Sequence, residues 1–422
     1  MRKQIVMTSF GSYGDINPYL GLALDLRQRG YEMVIATSEY YRNIIEARGI
    51  GFHPVRPTIE PSNDLLRRVM DADKGTEVIL KELLFPFLRD TYEDLMDATK
   101  QADLLVTHPI TFAGPIVAEK RKMRWVSTVL SPISFFSAYD LPVFPRLPQL
   151  VKLRRFGHRV SALLIAYAKF VTRTWSEPVR KLRKEVGLPA GKDPIFEGQF
   201  SPELVLALFS RVLAEPQPDW PPHTRITGQV FYDGPQGEQG LLPELREFLE
   251  SSSPPVVFTL GSSAVGAAGN FYQESLEAVK QLRLRAVLLV GTGPDNRPRG
   301  TVPSNVGIFE YAPFSHLFPH AAAIVHQGGI GTIGQALRAS RPMLVVPFAH
   351  DQPDNAFRVQ NLGVARTLYR QHYSASRVAE ALRILLSDPS YSQRACQVGD
   401  QVRSEDGIRA ACDAIEELLA QP

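Results

Sequence analysis

Cysteine is nearly absent: Cys396 and Cys412 are the only two in 422 residues, and no CxxC pair occurs. That excludes a disulfide scaffold and a cysteine-based zinc site, and it fits a cytoplasmic protein. Charge of one sign is missing as well, because 47 Lys and Arg stand against 44 Asp and Glu for a net charge of +3. The balance argues against nucleic acid as a partner and leaves any basic patch to be found locally. Long hydrophobic runs are lacking too. The most apolar helical stretch, Ser161 to Val171, is broken by Lys169 and falls short of the ~20 residues that span a bilayer. Ile5-Val6-Met7 follows Arg2 and Lys3, yet it is too short for a signal-peptide core and runs at once into glycines and Asp15. The remaining composition, 44% apolar and 22% charged, is that of an ordinary globular chain. At about 100–200 residues per domain, the length implies two or three domains.

Periodicity divides the chain in two. Gln4 to Ser9, Met33 to Ala36, Phe52 to Val55, Leu104 to Val106 and Trp125 to Val129 are short apolar runs, and helical patterns such as Ile16 to Arg29 lie between them. After a stretch dense in Pro and Gly the alternation restarts with Val256 to Leu260, Ala286 to Val290, Val306 to Phe309, Ala323 to Val325 and Met343 to Val346. Two such series predict an α/β chain of two facing, doubly wound Rossmann-like domains. The expected division is an N-terminal domain over 1–215, a linker over 216–255, a second domain over 256–402, and a C-terminal helix over 403–422 that packs back on the first domain. Ligands of such sheets bind at the carboxyl ends of the strands, so the cleft between the domains is the expected site.

Motif density peaks between Tyr311 and Gln352. His326 stands at the end of the strand Ala323 to Val325, followed by Gly328, Gly329, Gly331 and Thr332 and then by a helix from Ile333. Strand, glycine turn and helix N-terminus form an anion-binding geometry, with free N–H groups and the positive end of the helix dipole aimed at one place. The bland alternative is a tight turn beside a core histidine. Gly261, Ser262 and Ser263 end another strand at the matching edge and offer a second turn toward a phosphate. Asp351 and Gln352 can hold sugar hydroxyls between them, although an Asp-Gln pair also suits a helix cap.

Tyr311-Ala312-Pro313, His326-Gln327-Gly328-Gly329-Ile330-Gly331-Thr332 and Pro347-Phe348-Ala349-His350-Asp351-Gln352 together resemble the signature box of the family 1, GT-B-fold glycosyltransferases that use nucleoside-diphosphate sugars. The nearest branch is the bacterial one that glycosylates natural products, sterols and lipids. The resemblance implies that Tyr311 stacks on the base, and that His326, Gly328, Gly329, Gly331 and Thr332 hold the diphosphate with Ser262 or Ser263 opposite. It also implies that Asp351 and Gln352 hold the sugar. Two positions depart from the plant form of the box: Phe314 replaces a glutamine, and Gln335 replaces the glutamate that grips the ribose. The implied donor is UDP-glucose, with a dTDP-sugar as the alternative.

In the first half, Gly11-Ser12-Tyr13-Gly14-Asp15-Ile16-Asn17-Pro18 joins strand to helix. Read locally, Asp15 is an N-cap with Pro18 in the first turn. Beside the resemblance, the G-S-x-G-D pattern is similar to that of sterol and glycopeptide glycosyltransferases, which implies that Asp15 is the acceptor base and Gly14 belongs to the acceptor-side loop. Direct displacement at the anomeric carbon requires the incoming hydroxyl to lose a proton, which a carboxylate can take. The leaving diphosphate can be stabilised by the helix N-terminus without a metal. His316 and His320 have i, i+4 spacing, but Pro319 interrupts them and no HExxH occurs, so no metal or other cofactor is expected.

The acceptor pocket is expected from the first domain, with Phe85 to Leu88, Phe112, Phe135-Phe136 and Tyr139 to Pro142 as lining candidates, although such residues are more often plain core. His108, after the strand Leu104 to Thr107, reads as a structural histidine, with a place at the cleft as the alternative. Between Arg146 and Lys184 eleven Lys and Arg face one acid, Glu177. The segment reads as a solvated helical face over the cleft rim, with weak contact to an anionic membrane as the alternative. The whole points to an inverting hexosyltransferase acting on a small apolar acceptor such as a natural product, flavonoid, sterol or lipid. The competing reading is a catalytically silent sugar-nucleotide-binding helper. A nicotinamide-dependent oxidoreductase lacks its G-x-G-x-x-G loop.

Overall fold

A computed structural model describes residues 2–60, 62–237 and 240–421. Seven parallel strands form the first sheet: β1 (Gln4–Thr8), β2 (Glu32–Thr37), β3 (Gly51–Pro54), β4 (Leu104–Thr107), β5 (Arg124–Val129), β6 (Val205–Ala207) and β7 (Thr224–Ile226). Their order is β3-β2-β1-β4-β5-β6-β7. Six more make the second sheet: β8 (Val256–Thr259), β9 (Ala286–Leu289), β10 (Val306–Phe309), β11 (Ala323–His326), β12 (Met343–Val345) and β13 (Ala365–Thr367). These run β10-β9-β8-β11-β12-β13, again all parallel. Most strands are buried on both faces, which is why they read as continuous apolar runs rather than alternating ones.

Each sheet reverses its winding once, between β1 and β4 in the first and between β8 and β11 in the second. A crevice opens at the carboxyl ends of strands where winding reverses. Asp15 follows β1 and His108 follows β4; the Gly261 turn follows β8 and His326 ends β11. Both sets of singled-out residues therefore sit at switch points, and topology alone aims them at one cleft.

Three expectations need correction. The segment 216–255 is not all linker, because β7 lies within it and pairs in parallel with β6, Leu206 opposite Arg225. The proline-rich surroundings hide this three-residue edge strand. Asp15 is not an N-cap: the helix Tyr13–Gln28 is capped by Ser12, and Asp15 closes a capping box from its third position. Pro18 accordingly lies inside the helix rather than in its first turn.

The helix Gly407–Ala420 packs back on the first lobe. Ala411, Cys412, Ile415 and Leu418 join Leu20, Leu22, Ala23 and Leu26 in one core. Arg29 pins the helix through Asp413 at 2.5 Å and Glu416 at 2.7 Å. Among the described residues, no helix is long and apolar enough to cross a membrane.

Candidate active site

The second lobe's contribution begins where β11 meets the helix Ile330–Arg338. His326 is fully buried, and its Nδ1 accepts the Gly328 N–H at 3.0 Å. The proton therefore sits on Nε2, which is buried without a partner among the described residues. Burial pushes the imidazole down to about 3, so His326 is a neutral N–H donor and not a cation. Gly328 has φ +92°, and a β-carbon there would press on Val345 and the Gln352 carbonyl. Gly331 differs, because a β-carbon would meet nothing within 4 Å. Protein packing therefore does not demand glycine at 331. Thr332 is buried beside it, while Ser262 is exposed and Ser263 half-buried on the facing turn after β8.

After β12 the chain turns through His350 at φ +57° and delivers Asp351 and Gln352 to the start of the helix Gln352–Asn361. Asp351 makes no side-chain cap; it accepts from Asn355 Nδ2 at 2.7 Å. Burial pushes its carboxyl up to about 7, against the pull of Asn355, and the charge of Asp15 in the other lobe adds to the rise. Gln352 fits the expected sugar role less well. Its Oε1 is held by the N–H groups of Phe348 at 2.8 Å and Ala349 at 3.3 Å, because it braces the turn that carries Asp351.

Tyr311 lies half in the cleft with its phenol pushed up to about 12, mainly by burial and then by Asp233. Gln335 donates from Nε2 to Asp233 Oδ1 at 2.7 Å, while its own Oε1 is buried with no partner among the described residues. The stretch after β7 thus brings a carboxylate to the position where the sequence showed only a neutral amide. Nothing in the sequence marked Asp233. It is an isolated acid in a run of Pro and Gly, and only the path of the chain sets it beside Gln335.

Across the cleft, Asp15 Oδ2 accepts from the Ser12 N–H at 2.8 Å and the Ser12 hydroxyl at 3.2 Å. His108 Nε2 lies 3.3 Å from Asp15 Oδ1. The ring's Nδ1 accepts the Ile110 N–H at 3.3 Å, which puts the His108 proton on Nε2, facing Asp15. Both ring nitrogens are therefore engaged, whereas the Asp15 side chain is 32% exposed. A carboxylate accepts about four hydrogen bonds, so three internal ones leave room for an incoming hydroxyl. Gly11, at φ +136°, is required here because a β-carbon would overlap the Asp15 carboxylate. Gly14 is less an acceptor loop than part of the helix's first turn, its N–H spent on Ser12 Oγ at 3.2 Å. His108 is thus buried, as a structural histidine should be, and it is also the direct partner of Asp15.

The lobes meet around these groups. His350 Nδ1 and Thr76 Oγ1 are 3.2 Å apart, and Ser131 Oγ donates to Asn355 Oδ1 at 2.8 Å. The proposed acceptor lining mostly dissolves into core: Phe85 and Phe112 pack together, and Phe135 stacks on Trp220. Asp140 instead pairs with Arg358 at 2.6 Å. His316 is spent on the Gly237 carbonyl at 3.1 Å.

Comparison with known proteins points to glycosyltransferases. Residues 5–119 match the model of the glycosyltransferase family 28 N-terminal domain, and residues 277–418 match that of the erythromycin biosynthesis protein CIII-like C-terminal domain. The O-mycaminosyltylonolide 6-deoxyallosyltransferase of Streptomyces fradiae is 28% identical over 427 residues, covering 98% of this chain and 97% of its own. A sterol 3-beta-glucosyltransferase of Aspergillus fumigatus is 29% identical over 98% of this chain, which spans only 29% of that protein. Among solved structures, the glycotransferase of kitacinnamycin superposes with a TM-score of 0.73 at 21% identity, over 99% of both chains.

Proposed function

The chain belongs to the family 1, GT-B-fold glycosyltransferases, and from that premise we propose that it moves a hexose from UDP, glucose in the first instance, onto a hydroxyl of a small apolar acceptor with inversion. The observation that carries this reading is the pairing across one cleft of Asp15, fixed by His108 and Ser12, with Asp351 and the glycine turn.

In the proposed step the acceptor oxygen attacks the anomeric carbon as the bond to the diphosphate breaks. The hydroxyl proton passes to the open side of Asp15, and the bonding electrons leave with the diphosphate. The backbone N–H groups at Gly331 and Thr332, with the Nε2–H of His326, take up the growing negative charge. His108 is a positioning residue: it holds Asp15 in one rotamer and has no free nitrogen with which to receive a proton itself. The Asp233–Gln335 pair suits the two hydroxyls of a ribose, which supports a uridine donor over a deoxyribose one. A deoxysugar donor is the second reading, favoured by the deoxyallosyl activity of the Streptomyces relative. The names of the relatives give O-mycaminosyltylonolide and a sterol as acceptors, a natural product and a sterol being within the proposed acceptor class.

Asp15→Asn tests the reading. The amide keeps the bond from the Ser12 N–H but turns its NH2 toward the Nε2–H of His108, so that bond is lost together with the charge at the helix start, at about 1–3 kcal/mol of stability. Turnover should fall by roughly 10²–10⁴-fold with donor affinity unchanged. Near-normal turnover, measured as UDP release over a panel of aglycones, would remove Asp15 as the base.

A further inference from the structure

The helix His158–Thr172 is apolar on two opposite sides. One side, Ser161 and Ile165, is buried, with Ile165 packed against Leu141 and Phe196. The other carries Leu163, Tyr167 and Phe170, which are 71%, 66% and 59% exposed. Their i, i+4, i+7 spacing puts them on one outward stripe. The face is solvent-exposed, as expected, but apolar. The helix contains no Asp or Glu, and Arg159 and Arg173 lie at its two ends. Arg173 lies over the Phe170 ring at 4.3 Å and Arg155 over Phe156 at 4.7 Å. Among the described residues neither arginine pairs with a carboxylate, so both charges stay with the apolar stripe.

We propose that this face docks the protein on an anionic lipid surface, the stripe entering the headgroup boundary while Arg155, Arg159 and Arg173 meet lipid phosphates. A helix of 15 residues is about 22 Å long, too short to span a bilayer and suited to lie in its plane. The charge pattern argues for lipid over a second copy. A two-fold contact between two such faces would set arginines against arginines with no acid on the stripe to answer them. Overall the chain is nearly neutral, and several bases of 146–184 are spent on acids, as Arg154 is on Asp140, Lys169 on Glu197 and Arg183 on Glu119, so the attraction to anionic headgroups rests on Arg155, Arg159 and Arg173. The inference stands independently of the transfer chemistry.

Co-sedimentation of the full chain with phosphatidylglycerol-containing vesicles, with pure phosphatidylcholine vesicles as control, tests it. At low salt the protein should pellet with the anionic vesicles and be released by high salt. A Leu163→Asp/Phe170→Asp pair and an Arg159→Glu/Arg173→Glu pair should each weaken the partition by roughly tenfold or more, with turnover of a soluble acceptor unchanged to show an intact fold. Absence of anionic-vesicle binding at low salt, or equal binding by both variants, overturns the proposal. So does a wild-type dimer in gel filtration that the Leu163→Asp/Phe170→Asp pair converts to monomer, because the face would then belong to a second copy.

Discussion

Burial lifts the Asp351 carboxyl to about 7, so near neutrality its charge responds to small changes in acidity. The sign follows from which form accepts hydrogen bonds: the carboxylate, present above the raised value, can take two sugar hydroxyls, and the acid formed below it cannot. Donor affinity should therefore rise between pH 6 and pH 8, by up to about tenfold per unit below 7, and Asp351→Asn should flatten the profile in calorimetric titrations. His326 adds no step in this window because burial keeps it neutral throughout. Asp233 carries a separate expectation. With Oδ1 engaged by Gln335, its second oxygen can accept from a ribose hydroxyl. Asp233→Asn should cost about 1.5–3 kcal/mol of UDP affinity, the range for hydrogen bonds to a charged group. 2′-Deoxy-UDP should lose less if the 2′-hydroxyl is the partner. Equal losses for the two nucleotides would exclude the 2′-hydroxyl as its partner, and no loss for either would remove Asp233 from ribose recognition.

The helix Ile330–Arg338 joins two properties that one substitution can separate. Ala is a better helix former than Gly by about 1 kcal/mol, and at 331 its methyl would meet no protein atom within 4 Å. Gly331→Ala should thus hold or raise the melting temperature while weakening the donor by tenfold or more, since the methyl occupies the space where a phosphate approaches the helix N-terminus. A loss of both, read from a melting curve and a titration, would mean instead that the glycine serves the fold. Elements of this kind were legible in the sequence because strand, glycine turn and helix are contiguous and each announces itself through apolar runs and breaks. Contacts between distant elements were not. His108 is 93 residues from Asp15, and only the pairing of β1 with β4 makes them neighbours. Likewise β7 and Asp233 lie where Pro and Gly erase any period, and the aromatics of 85–136 look the same in sequence whether they line a pocket or fill a core. The outward stripe of the helix His158–Thr172 was visible only as interleaved apolar and basic residues; which side faced inward depended on Leu141 and Phe196.

Between the lobes, Arg358 adds a buried ion pair to the contacts His350–Thr76 and Ser131–Asn355. Arg358 is buried, donating from Nε to Asp354 at 2.7 Å and from Nη1 to Asp140 of the first lobe at 2.6 Å. Asp354 in turn accepts the Val143 N–H at 2.9 Å, so the latch binds the loop 140–143 to the helix Gln352–Asn361. That helix begins beside Asp351 and also carries Asn355, which bonds Asp351, the Gly328 carbonyl and Ser131. Asp351, the glycine turn and the lobe contact are thus joined through one side chain. Arg358→Met keeps much of the packing but leaves the buried Asp354 carboxyl without its cation, while Asp140 keeps Arg154; stranding one buried charge costs about 3–5 kcal/mol. Restoring apolar partners in Arg358→Met/Asp354→Leu should recover part of the loss, because removing both charges is far milder than stranding one. In the single variant, donor affinity should fall as well as stability, although Arg358 makes no contact with Asp351. Denaturant titration of the two variants beside donor calorimetry separates the cases: unchanged donor affinity in a destabilised Arg358→Met protein would mean that the latch serves stability alone and that each lobe shapes its half of the site unaided.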